Sequence, residues 1–124
     1  MVNESKKILN MPYLKVNSFC CRVPTTVGHG VFVNIICKQD FCIEDVKQML
    51  SQEQNIIVMD DNESLYPTPL TVRNTKYVEI GRIYKDLTNK RGVNMFIVAD
   101  NLLRGAAYNA YEILEYIMEN ADNA

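Results

Sequence analysis

The 124-residue chain has a single histidine, five glycines and four cysteines, and each shortage narrows what it can do. Cys20, Cys21, Cys37 and Cys42 form no CxxC pair. With only His29 available to help them, the pattern argues against a zinc site, and no metal is expected. No apolar run approaches the roughly 20 residues that a bilayer-spanning helix needs. The opening "MVNESKKILNMPY" lacks the apolar segment of a secretion signal, so the expected compartment is the cytoplasm. Neither sign of charge dominates: 13 basic and 15 acidic residues give a net charge of -2, which argues against nucleic-acid or anionic-membrane partners. In a reducing compartment the four cysteines read as small buried hydrophobes. The "NES" sequons at Asn3 and Asn62 carry no weight there.

Several catalytic signatures are also missing. There is no G-x-x-x-x-G-K-[ST] and no G-x-S-x-G. "GHGVFV" has two glycines of a dinucleotide-binding fingerprint, but it leads into a strand and lacks the third. No internal repeat or low-complexity linker divides the chain, so it reads as one unit, long enough for one core.

What is present is alternation and periodicity. "NESKKIL" reads as the end of a short helix, broken by Asn10 and Pro12. "YLKVNSFCCRV" alternates like a strand that Pro24 ends. "VFVNIIC" is β-branched and apolar, the composition of a buried strand. "CIEDVKQML" places Ile43, Val46, Met49 and Leu50 at helical spacing, and "NIIVMD" follows as a short strand. "DDNESLYPTPL" reads as a loop, turned by acidic and amide residues and held extended by two prolines. "KYVEIGRIYKD" and "GVNMFIVAD" predict two more strands. From Leu102, apolar residues recur at Leu103, Ala106, Ala107, Ala110, Ile113, Leu114, Ile117 and Met118. That stripe predicts a helix of about five turns, with Asp100 as its N-cap. Five strands and two or three helices without strict β-α-β alternation predict an α+β fold, a mixed β-sheet with helices packed on one face.

Two residues invite a chemical reading. Arg22, just before Pro24, is either a solvated or ion-paired arginine or a planar fork for a carboxylate. His29 lies between Gly28 and Gly30, in a loop returning towards Arg22. It is either incidental or a site residue, with an ordinary pKa near 6.5 that suits a proton acceptor at neutral pH. Glycine on both sides suggests room for something to approach the ring. Composition and spacing stop at an α+β domain with a possible Arg/His site.

"CCRVPTTVGHG", "VMDDNESLYPTPL", "VEIGRIYKD" and "VNMFIVADNLLRGAAYNA" together go further. In this order and spacing, over about residues 1 to 119, they resemble the C-terminal portion of aspartate-semialdehyde dehydrogenase. The resemblance implies the catalytic and dimerisation domain of an NADP-dependent oxidoreductase, with a glyceraldehyde-3-phosphate dehydrogenase C-terminal-domain-like fold. That family converts aspartyl phosphate to aspartate semialdehyde on the way to lysine, threonine, methionine and diaminopimelate. A cysteine attacks the acyl phosphate, phosphate leaves, and hydride reduces the thioester.

By match, Arg22 takes the substrate-carboxylate position and His29 the acid/base position. Asn101, in "ADN", takes a cofactor-binding position that contacts the nicotinamide. A homodimer is the implied assembly. The NADP-binding domain, the nucleophilic cysteine and a substrate-orienting glutamine would precede the matched region, and a glutamate and lysine would fall just before Met1. None of the four cysteines matches the nucleophile, so the chain alone is expected to be inactive. Gly30 replaces a usual serine, and Tyr84 stands where the family often has a second arginine. Two alternatives are a related N-acetylglutamyl-phosphate reductase, which Y-P-T-P-L and A-D-N-L argue against, and a non-catalytic interaction or dimerisation module.

Overall fold

Strand-forming residues gather into one four-stranded sheet in the computed structural model, which describes residues 1–60 and 65–121. In chain order the elements are helix α1 (Val2–Ile8), strand β1 (His29–Ile36), helix α2 (Ile43–Gln52) and strands β2 (Ile56–Val58), β3 (Val78–Lys85) and β4 (Gly92–Ala99). A π-helical turn (Leu103–Ala107) then leads directly into helix α3 (Tyr108–Asn120). The sheet order is β1-β4-β3-β2. β4 runs antiparallel to both neighbours while β2 and β3 are parallel, so the sheet is mixed as expected.

Side chains alternate between faces along each strand, and the two faces have different cover. On one, Ile80, Ile83, Val93 and Met95 form the buried core, packed against Ile43, Val46 and Leu50 of α2. Burying each such side chain stabilises the fold by roughly 1.5–3 kcal/mol. On the other face, Val98, Val72 and Pro67 are fully buried where the chain after residue 65 crosses the sheet. A methyl group on Gly81 would lie 2.5 Å from the Met59 carbonyl and from Pro67 Cδ, so only glycine admits that crossing. β3 is irregular between Gly81 and Tyr84, where Arg82 takes a left-handed φ of 54°. The rest of this face is open: Phe32 and Phe96 stack at 4.3 Å between centroids, and Phe32 is 82% exposed.

Four expectations need correction. Residues 13–23 form no strand; they run as irregular chain, exposed except for half-buried Leu14 and Val16, because alternation without a neighbouring ladder leaves the backbone unpaired. The sheet therefore has four strands among the described residues. β1 forms where expected but at an edge of the sheet, and every residue except Val33 is exposed. The cysteines are not buried: Cys20, Cys21 and Cys42 are exposed and Cys37 is half-buried. Cys20 and Cys21 lie on the uncovered segment, which explains their exposure.

The final helix also departs from a single regular run. Its first five residues wind as the wider turn, with Gly105, the poorest helix former after proline, inside it. The apolar stripe of α3 has no cover, and Ile113, Leu114, Ile117 and Met118 are all more than half exposed. The expected loop from Asp60 to Leu70 is irregular where described, but Asp61, Asn62, Glu63 and Ser64 lie outside the described residues.

Candidate functional site

His29 opens β1 and pairs with Ala99 at the far end of β4. Its side chain is exposed, so no packing surface closes over the ring. Gly28 before it is buried and has φ of 91°, a backbone region that side chains rarely enter. A methyl group there would also lie 3.0 Å from Pro69 Cα and Cβ. On the other side, a methyl group on Gly30 would come within 2.8 Å of the Phe96 ring. The space that the sequence suggested for an approaching ligand is therefore taken by the protein itself. Pro69 fills it beside Gly28 and Phe96 beside Gly30, and the imidazole stays exposed.

Asn101 reaches the same loop from the other end of the chain. Its Oδ1 accepts the Gly28 N–H at 3.0 Å, across 73 residues of sequence. The structure thus joins two of the three candidate residues through the backbone that carries His29. Arg22 is exposed on the irregular segment, and among the described residues no ion pair or hydrogen bond engages its guanidinium. A free planar fork of this kind can accept a carboxylate through two parallel hydrogen bonds.

Asp100, read from sequence as a helix cap, does more than cap. It is 2% exposed, and its Oδ1 accepts the Leu102 N–H at 2.9 Å while Oδ2 accepts the Asn74 N–H at 2.9 Å. The Asn74 amide, above all, holds the carboxyl below its ordinary 3.8, against burial and with help from the Leu102 and Leu103 amides. Asn74 adopts a left-handed φ of 60°, so Asp100 fastens a strained turn to the end of β4.

Residues missed by sequence reasoning hold Pro69 in place. Thr68 and Thr71 bracket it: the Thr68 amide donates to Thr71 Oγ1 at 3.0 Å and the Thr71 amide to Thr68 Oγ1 at 3.2 Å. The Thr71 hydroxyl also contacts the buried Glu79 carboxylate by a short hydrogen bond. The one available signal was T-P-L-T, two hydroxyl residues three apart around a proline, which is turn chemistry. Nothing local announced Glu79 as their partner.

A groove of about 590 Å³ lies on the open sheet face, with Phe32, Asn34, Arg82, Tyr84 and Asn94 along it. Asn34 Nδ2 donates to Asn94 Oδ1 and to Asp86 Oδ2, each at 2.9 Å, tying the two strands across its floor. Among the described residues no three His, Cys, Asp or Glu side chains cluster as metal ligands would. No helix of the described residues is long and apolar enough to cross a membrane.

Comparison with known proteins identifies relatives of this chain. Residues 1–104 match the family described as semialdehyde dehydrogenase, dimerisation domain. The aspartate-semialdehyde dehydrogenase of Bacillus subtilis is 41% identical over 117 residues, covering 93% of this chain and 34% of the relative. That of Helicobacter pylori strain J99 is 37% identical over 122 residues, covering 98% of this chain and 35% of the relative. Among solved structures, aspartate semialdehyde dehydrogenase II of Vibrio cholerae, complexed with ASA, superposes with a TM-score of 0.92 at 34% identity. It covers 97% of this chain and 35% of the other. The Francisella tularensis enzyme gives 0.84 at 32% identity, over 93% and 33% of the two chains. The chain spans about a third of the length of the relatives it matches. It belongs to the semialdehyde dehydrogenase family, stands with the aspartate-semialdehyde dehydrogenases, and carries the family's dimerisation domain.

Proposed function

We propose that this chain supplies the substrate-carboxylate and acid/base residues of a cytoplasmic, NADP-dependent aspartate-semialdehyde dehydrogenase acting as a homodimer. The observation that carries this reading is the similarity to aspartate-semialdehyde dehydrogenases over 93% of the chain. Arg22 and His29 are both exposed within it.

Arg22 binds the substrate α-carboxylate. Its five N–H donors form a rigid fork that matches a carboxylate in one plane, so it fixes orientation as well as charge. His29 moves protons at an imidazole nitrogen. As a neutral base it takes the proton of the attacking thiol, and as imidazolium it steadies or protonates the oxygen of the tetrahedral adduct. The thiol comes from the part of the enzyme that none of the four cysteines here matches. Phosphate leaves as the thioester forms.

NADP, when bound, supplies the hydride chemistry. The residues here fit one end of it only. With Oδ1 of Asn101 engaged by Gly28, the amide offers Nδ2 as a donor suited to a carboxamide oxygen. No glycine-rich strand-turn-helix for its phosphates occurs in this sequence.

The open sheet face supports the homodimer. Exposed Phe32, stacked on half-buried Phe96, forms an aromatic patch, and its strand-paired asparagines and Arg82 supply a polar rim. The dimerisation-module reading uses the same surface and differs only in denying turnover. A fusion of this chain to the preceding two-thirds of the Bacillus subtilis relative separates them. It should form NADPH from aspartate semialdehyde, phosphate and NADP. A folded, dimeric fusion without turnover would favour the module.

A further inference from the structure

We propose that Asn101 is a positioning residue for His29, acting through the backbone of Gly28. The inference rests on the acid/base reading of His29, but its content is geometric. The β1 ladder begins at the His29↔Ala99 pair, so the Gly28 amide stands just outside the sheet. Gly28 is also the residue with the greatest backbone freedom at this joint, and it is held at φ of 91°. Its N–H is taken by Asn101 Oδ1 at 3.0 Å, two residues beyond the Ala99 that pairs with His29.

One ladder pair and one side-chain bond thus clamp the same short stretch from β4 and from the residue after Asp100. Pro69 closes the remaining side, with its Cα and Cβ 3.0 Å from where a Gly28 methyl would stand. His29 itself is exposed, so packing does not aim its ring. The direction of its Cα–Cβ bond is set by the backbone, and the backbone at this point is set by Asn101. Removing the acceptor frees the glycine to rotate and spreads the imidazole over several orientations. A contact with a bound ligand is not needed for this role.

The sole histidine makes the test direct, because its imidazole Cε1–H signal is unambiguous in the NMR spectrum of the whole 124-residue chain. Amide hydrogen exchange at Gly28 is followed in the same labelled sample. In Asn101→Ala, Gly28 protection should fall about five- to tenfold, as expected for one lost hydrogen bond. Protection at Val93 and Met95 should persist, and the imidazole signal should shift or broaden. Asn101→Asp keeps an acceptor and should restore Gly28 protection; it also decides the matter if the alanine variant does not fold.

An unchanged Gly28 exchange rate or an unchanged imidazole signal in folded Asn101→Ala overturns the proposal. Equal loss of protection at Val93 and Met95 also overturns it, since Asn101 would then be a general stabiliser. So does an aspartate variant that keeps the sheet but loses Gly28 protection. None of these readouts needs turnover, so failure of the enzymatic reading leaves them intact.

Discussion

Gly28 carries two constraints at once, a left-handed φ and a wall of proline, and either alone would resist a side chain. Gly28→Ala should destabilise the chain by about 1–3 kcal/mol, read as a lower urea midpoint at fixed protein concentration. A loss under about 0.5 kcal/mol would mean that the loop relaxes freely. Asp100 makes a second residue-scale prediction, through pH. Its folded-state pKa is depressed, so its contribution is fully present above the ordinary value of 3.8 and is lost as pH falls through the lower folded value. Asp100→Asn keeps one acceptor oxygen for two N–H donors. The variant should melt lower than wild type at pH 7, and the gap should narrow as pH falls below the ordinary 3.8 towards the lower value at which folded Asp100 takes up its proton. Thermal melts across that range check it; a gap constant with pH would remove Asp100 from the account.

At the scale of elements, β3 and β4 were legible because their apolar residues lie where the core is, at Ile80, Ile83, Val93 and Met95. The helix α2 was legible for the same reason, its Ile43, Val46 and Leu50 falling on one face. β1 was legible as a strand but not as an edge. Apolar composition records that a surface needs cover; it does not say whether the cover comes from the same chain. The α3 stripe shows the same gap between pattern and packing, with Ile113 and Ile117 each more than half exposed. Residues 13–23 failed for a different reason: a strand is a relation between two chains of backbone, and alternation describes one of them.

In the site, His29 was marked by its glycines and Asn101 by resemblance. Their connection through Gly28 spans 73 residues, which no local pattern encodes. The element-scale prediction concerns β1. Phe32→Ser removes the most exposed ring of the aromatic patch without touching the buried core. It should weaken self-association in sedimentation at micromolar concentration and leave the far-UV circular dichroism unchanged. Unaltered association would place the dimer contact elsewhere.

The whole molecule presents an exposed apolar surface and, on the proposed reading, a site that takes its thiol from elsewhere. The surface predicts that the chain self-associates, since Phe32, Leu102, Ile113 and Met118 are all more than half exposed. A clean monomer that binds no hydrophobic dye would contradict it. On the proposed reading the thiol lies outside the four cysteines here, so the chain alone should form no NADPH. Turnover that vanished on mutating one of the four cysteines would overturn that. The proposed roles of Arg22 in binding and His29 in proton transfer are separated by steady-state kinetics of the fusion with the Bacillus subtilis relative. Arg22→Lys keeps the charge and loses the fork, so KM for the semialdehyde should rise with kcat little changed. His29→Ala should lower kcat by roughly two to four orders of magnitude with KM little changed. Wild-type kinetics in both variants would mean that neither residue has its proposed role.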